Sequence, residues 1–350
     1  MINTIQIDRG GRNRILDIYK GICILFVIFT HYAWTTADWH KMLFPFWIDM
    51  AVPMFMVISG YVNAKSFEIK NIRCLEDAYQ KSLLITKLIR FLVPFLITFA
   101  LETVIQIIFH RFTIKSFVID FFHGGYGPGS YYFPVMVQFI FIYPVIHFIV
   151  KKNGMKGVIL CFIINLVYEF LQRISFVPEE LYRLLGLRYI SVISFGTFFA
   201  LFPNVKIKWY IKTIVGMVGI IFIILVEYTS YSPKIIIYWT RTSCIATLYI
   251  FPICSFLLKN RENKVKVAPI ELLGKASFNI YLVQMVYYWC LSGRVYNFID
   301  SIFIRIIMNF LICLIGGISF YFIENRITEI IIKRLKSNEL FISNSRQRRQ

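Results

Sequence analysis

Apolar residues in this chain run in long unbroken stretches, separated by short polar segments rich in Lys and Arg. The stretches do not alternate with period two, as a half-buried strand would. Most are close to the ~20 residues that carry a helix across the hydrocarbon core of a bilayer. Ten are drawn from the pattern, at about 15–33, 46–64, 83–109, 131–150, 157–172, 188–203, 211–228, 235–258, 276–292 and 302–323. Lipid offers a backbone no hydrogen bonds, so only helices or closed barrels span it, and continuous apolar runs select helices. The expected fold is therefore all-α, a polytopic integral membrane bundle of about ten transmembrane helices. A cytoplasmic segment at 1–14 precedes a transmembrane domain at 15–325. A basic cytoplasmic tail at 326–350 follows, frayed after about Lys336.

Composition sharpens this picture. Of 350 residues, 58% are apolar and 16% charged, against about 45–50% and about 25% in an ordinary soluble domain. The chain carries 38 Lys and Arg against 19 Asp and Glu. The excess sits in short clusters between apolar runs rather than in a basic domain, which excludes a nucleic-acid partner and fits anchoring at one membrane face. With the N-terminus inside, 28 of the 38 cations fall on the cytoplasmic side, in the groups Arg9–Lys20, Lys65–Arg90, Lys151–Lys156, Lys206–Lys212, Lys259–Lys275 and Arg326–Arg349. An even number of crossings then returns the C-terminus to the cytoplasm. The seven cysteines are scattered and odd in number, with no metal or disulfide spacing, and are expected to be buried free thiols. No metal site is expected. Arg9, Arg12 and Arg14 before an apolar run imitate a signal peptide, but no small-residue cleavage site follows, so a retained first helix is expected.

Ionisable groups inside apolar runs are costly and mark candidate sites. On the first helix, eleven residues separate Lys20 from His31, close to three whole turns, so the two share a face about 16 Å apart along the axis. Asp17 lies three residues before Lys20, within pairing reach. A snorkelling lysine and an interfacial histidine account for the same stripe without chemistry. On the second helix, Pro53 loosens the backbone, and Ser59-Gly60, before Tyr61, permits close approach of a neighbouring helix or a ligand, with a packing seam the simpler reading. Glu102 is buried in the third run, with Arg188 or Arg241 as conceivable partners. Glu169 and Glu227 are expected to snorkel at helix ends. His40, His110 and His147 are read as interfacial, and the Gly- and Tyr-rich segment from His123 to Tyr132 as a turn.

The chain carries Leu16-Asp17, Lys20-Gly21, Val27 and His31, and then Val52-Pro53-Met54-Phe55 with Ser59-Gly60-Tyr61. Together these two segments resemble membrane acyltransferase family 3, the bacterial cell-surface O-acyltransferases. Lys87 and Arg90 before Pro94 resemble the family's basic motif. Leu273-Gly274-Lys275-Ala276-Ser277 with Tyr281-Leu282 and Gln284 resembles its late segment. The likeness covers about residues 12–325. Lys20 and Lys87 stand where the family often has Arg, keeping charge but losing the planar fork. Gln284 stands where the family often has His, and an amide cannot act as a base near neutral pH.

The resemblance implies transfer of an acyl group, with acetyl the expected one, from cytosolic acyl-CoA to a hydroxyl of a cell-surface or exported glycan. It implies a multi-pass protein of the bacterial cytoplasmic membrane. Acetyl-CoA enters as co-substrate, and no permanently bound cofactor is expected. His31 then serves as the base that activates the hydroxyl, or takes the acyl group itself. Asp17 and Lys20 orient the polar stripe or neutralise the donor. Lys87 and Arg90 suit the nucleotide phosphates of CoA, or else anchor the membrane face. Ser59, Gly60, Tyr61, Glu102, Tyr281 and Gln284 are expected to line the pocket. A water-filled pore beside the first helix would admit thioester from inside and alcohol from outside. The partners expected are lipid, acyl-CoA, a glycan acceptor and polysaccharide-assembly proteins. Two other functions fit the polar stripe: a carrier or flippase for a lipid-linked glycan, and a structural partner in a glycan-assembly complex.

Overall fold

The computed structural model describes residues 14–175, 177–233, 236–258 and 267–347. The segment 1–13, the basic cluster from Lys259 to Lys266, and Arg348 and Arg349 lie outside them. Every regular element among the described residues is helical. In chain order these are α1 (Arg14–Thr30), α2 (Thr36–Lys41), α3 (Phe44–Trp47), α4 (Ala51–Ile69), α5 (Leu75–Ala78), α6 (Lys81–Ile108), α7 (Ile114–His123), α8 (Tyr132–Asn153) and α9 (Met155–Ile174). Then follow α10 (Glu179–Leu184), α11 (Ile190–Leu201), α12 (Trp209–Tyr228), α13 (Ile250–Leu257), α14 (Ala268–Lys275), α15 (Ser277–Cys290), α16 (Ser292–Asn297) and α17 (Ile302–Gln347).

Among the described residues, seven helical stretches are long and apolar enough to cross a membrane: Phe44–Ile69, Leu75–Ile108, Tyr132–Asn153, Met155–Ile174, Trp209–Tyr228, Thr240–Leu257 and Ile302–Leu335. The protein is a polytopic helical membrane protein. The other three expected spans are helical but short: α1 with 17 residues, Gly186–Leu201, and α15 with 14. Hydropathy registers apolar side chains and not the backbone, so it runs past the points where helices stop. At the end of α1 the Thr30 hydroxyl donates back to the Phe26 carbonyl, 3.1 Å away, and the Trp34 indole N–H caps the Phe29 carbonyl at 2.8 Å. The expected span at 235–258 becomes two 3₁₀ turns, Thr240–Thr242 and Ala246–Tyr249, followed by α13. In the opposite sense, α17 runs for 46 residues, about 69 Å. It carries helix on to Gln347, past Lys336, after which a frayed tail was expected.

The chain forms two compact units. The first comprises Met1–Leu75 and Ile142–Ser277, the second Glu76–Phe141 and Phe278–Gln350. In the first unit α11 is buried on nearly all its residues and packs along α4 and α9, while α1 packs on α14 and α4. Small residues set these approaches. A Cβ at Gly60 would overlap the carbonyl of Ile193, and one at Gly196 would overlap that of Val57. The α4–α11 seam therefore brings backbone against backbone. In the second unit α6 packs on α17, and Gly316 and Gly317 of α17 receive Val283 and Ile280 of α15.

Candidate active site

The stripe on α1 is the packed face of that helix. Asp17, Gly21, Ile24, Val27 and Ile28 are buried, while Ile22, on the far side, is exposed. Successive 100° steps place Lys20 and the projection of His31 in the middle of the buried arc. The stripe thus faces protein rather than lipid. Lys20 Nζ lies 3.7 Å from Asp17 Oδ1, and the Asp17 side chain is 2% exposed. The pair is held against α14, because Gly274 sits on the Asp17 carbonyl and Gly21 on that of Ile270, with no room for a Cβ at either glycine. The Lys20-Gly21 and Leu273-Gly274-Lys275 motifs are therefore two sides of one helix crossing.

His31 is half-buried in the turn that ends α1. Aromatic rings fix that turn. Phe29 and Tyr32 each lie 4.7 Å from Trp34, centroid to centroid, and Trp34 lies 5.2 Å from Phe44, which is fully buried. Phe44 also meets Phe29 and Trp47 edge-on. The end of α1, from which His31 follows, rests on a packed aromatic cluster.

Of the α4 residues Ser59, Gly60 and Tyr61, Gly60 and the Tyr61 backbone lie in the seam with α11. Tyr61 is buried, the Ser59 carbonyl accepts from Asn63 Nδ2 at 3.0 Å, and the Gly60 carbonyl accepts from Tyr143 at 3.1 Å. Tyr143 lies one turn before His147. The latter is 1% exposed and meets Phe67 edge-on, so it belongs to the core and not to an interface.

In the second unit, Lys87 and Arg90 lie in the first half of α6, with Arg90 exposed. Glu102 lies about 22 Å from Lys87 along the same axis. It is 1% exposed, and its Oε2 accepts the backbone N–H of Tyr126 at 3.2 Å. Neither Arg188 nor Arg241 supplies that bond. A Cβ at Gly125 would come within 2.8 Å of Glu102 Oε2, and Gly124, Gly125 and Gly129 all have positive φ. The Gly-rich segment is accordingly a turn that folds over Glu102. Tyr281 on α15 donates to the carbonyls of Gly129, at 3.0 Å, and Ser130, at 3.2 Å, closing the same turn. Gln284, one turn further on, is fully buried, and neither amide atom has a hydrogen-bond partner among the described residues.

Two polar networks in the first unit escape sequence reasoning. Arg241 Nε lies 2.9 Å from Glu227 Oε2, and Arg241 Nη1 lies 3.8 Å from Asp49 Oδ2. His40 Nε2 approaches Glu227 at 3.3 Å, and the Trp39 indole donates to Asp49 at 3.2 Å. Deeper in, Glu169 accepts from the Cys244 backbone N–H at 2.8 Å, the Cys244 thiol at 3.1 Å and Asn165 at 3.1 Å. Arg188, 2% exposed, lies over the rings of Tyr182, Tyr189 and Trp239 and donates to Thr242 at 2.8 Å. Glu169 and Glu227 are thus buried acceptors and do not snorkel. His40 binds a carboxylate. All seven cysteines are free; Cys74 is exposed and Cys290 half-buried, so burial holds for the other five.

Comparison with known proteins agrees with the motifs. Searches of the curated proteins and of the solved structures each return no match. The model of the acyltransferase domain of acyltransferase family 3 matches residues 13–323, nearly the whole described helical region. It takes in the α1 stripe, the α4 seam, the α6 basic pair and the α14–α15 segment. The chain belongs to acyltransferase family 3 and is a multi-pass membrane acyltransferase.

Proposed function

We propose that this protein moves an acetyl group from cytosolic acetyl-CoA to a hydroxyl of a cell-surface or exported glycan, across the bacterial cytoplasmic membrane. The observation that carries the reading is the α1 stripe. One protein-facing helix face holds an Asp17–Lys20 ion pair at one end and ends at the imidazole of His31. A sugar hydroxyl is a poor nucleophile until its proton is taken, and an imidazole is suited to take it near neutral pH. A nucleophilic His31 that carries the acetyl group itself fits the same placement. Lys87 and Arg90 supply positive charge for the phosphates of CoA at the end of α6 that the distribution of basic residues assigns to the cytoplasm. Asp17 and Lys20 act as positioning residues, and Gln284 contributes an amide that orients but transfers no proton.

The test compares surface glycan from a deletion strain with that from the parent by mass spectrometry. Loss of one acetyl increment per modified sugar supports the reading. Unchanged acylation of every surface glycan refutes it.

A further inference from the structure

The end of α6 remote from Lys87 and Arg90 carries a feature that the acyl-transfer reading does not use. Ile105, Gln106, Phe109, Arg111, Trp289, Cys290 and Arg294 line a recess of about 140 Å³ within the second unit. Gln106 lies about 28 Å from Lys87 along α6. The distribution of basic residues therefore puts the recess on the outer face.

Three properties of the lining define what it takes. Gln106 is 8% exposed, and its Oε1 has no hydrogen-bond donor among the described residues. A buried acceptor without a donor is costly, and a ligand hydroxyl would satisfy it. Arg111 and Arg294 are both exposed. Among the described residues neither meets a carboxylate, and the Arg294 guanidinium lies 4.6 Å from the Phe109 ring centroid. Two guanidinium groups without a carboxylate suit an anion. The third property is a flat wall. Trp289 stacks on Tyr126 at 5.2 Å, and Tyr126 stacks in turn on Phe99 at 5.6 Å and 8°. Because Glu102 holds the Tyr126 backbone, the indole is fixed before any ligand arrives. Apolar ring, hydroxyl acceptor and cations together describe one sugar that bears a negative charge. The volume is below that of drug-sized sites, ~300–1,000 Å³, and suits a single ring with the rest of a chain outside.

We infer that this recess binds a carboxylate-bearing sugar unit of the acceptor, a uronate-type residue; the inference rests on the acceptor's being an exported glycan. An anionic lipid headgroup shares the charge but has no use for the indole wall.

The test uses the full-length protein in phosphatidylcholine nanodiscs, with saturation-transfer NMR on free glucuronate and free glucose. Glucuronate is expected to bind about tenfold more tightly than glucose, the value of one charge-assisted contact. Arg111→Gln with Arg294→Gln should bring glucuronate down to the level of glucose. Gln106→Leu should weaken both sugars. Each single arginine variant, checked for an unchanged melting temperature, serves where the double variant does not fold. Equal binding of the two sugars, or glucuronate binding unchanged in the arginine variants, overturns the inference. So does loss of glucuronate binding when phosphatidylglycerol replaces phosphatidylcholine, which would mark a headgroup site. The assay contains no acyl donor. Glucuronate binding by the parent protein, together with a deletion strain whose surface glycans keep all their acylation, would therefore count against the proposed function and for the recess.

Discussion

Gly274 rests on the backbone carbonyl of Asp17, with no space for a Cβ between them. The buried carboxylate of the α1 stripe is thereby placed by a glycine more than 250 residues away in the chain. Gly274→Ala has to push α1 and α14 apart. It is expected to lower stability by about 1–3 kcal/mol, the usual cost of overpacking, and to reduce acylation by displacing Asp17 and Lys20. Gly293→Ala is the control, because nothing lies within 4 Å of a Cβ there. Thermal unfolding of the two purified variants in detergent checks the difference.

Lys20→Arg should retain acylation, because the positive charge three residues from Asp17 is kept. Lys20→Met leaves a buried carboxylate short of its cation. It is expected to destabilise by about 1 kcal/mol, a figure reduced because the lysine is partly exposed. Denaturation of both variants beside the parent measures this. Equal stability of Lys20→Met and parent would show that the pair contributes nothing.

Glu102→Gln keeps an oxygen that can accept from Tyr126 N–H, whereas Glu102→Leu leaves that donor unmatched. The leucine variant should lose about 1–3 kcal/mol, and its Gly-rich turn should exchange amide hydrogens faster at Tyr126. The glutamine variant should not. Hydrogen exchange followed by mass spectrometry separates the two outcomes.

Asp120 on α7 gives a pH prediction. Burial raises its pKa above the ordinary 3.8, against smaller opposing effects from the Ser116 hydroxyl and His123. An acid with a raised folded pKa is destabilising when ionised. Its penalty is absent below about pH 3.8 and grows as pH rises through the folded value. Asp120→Asn should therefore raise the melting temperature at neutral pH and leave it unchanged at the acid end. A uniform shift at all pH values would contradict this.

The apolar runs and the motifs were legible because both are local. Period and length locate α6, α8, α9 and α12 to within a few residues, and the spacing of Asp17, Lys20 and His31 gives the face of α1 that packs. What distance in sequence conceals is partnership. Glu169 meets Cys244 across 75 positions and His40 meets Glu227 across 187, and helical period says which face a residue occupies but not what that face meets. Helix ends were hidden too, because the caps at Thr30 and the 3₁₀ turns after Trp239 leave the run of apolar letters unbroken. The Gln106 recess combines both difficulties. Its lining comes from the end of α6, the end of α15 and the start of α16, and each piece alone resembles an ordinary interfacial helix end.

The most direct test of the acyltransferase reading is the acetyl content of the surface glycan in cells carrying His31→Ala, at membrane levels equal to the parent protein. The account predicts a glycan that lacks the acetyl increment as completely as in the deletion strain. Full acetylation in the His31→Ala cells would contradict it and leave the imidazole a structural residue at the end of its helix.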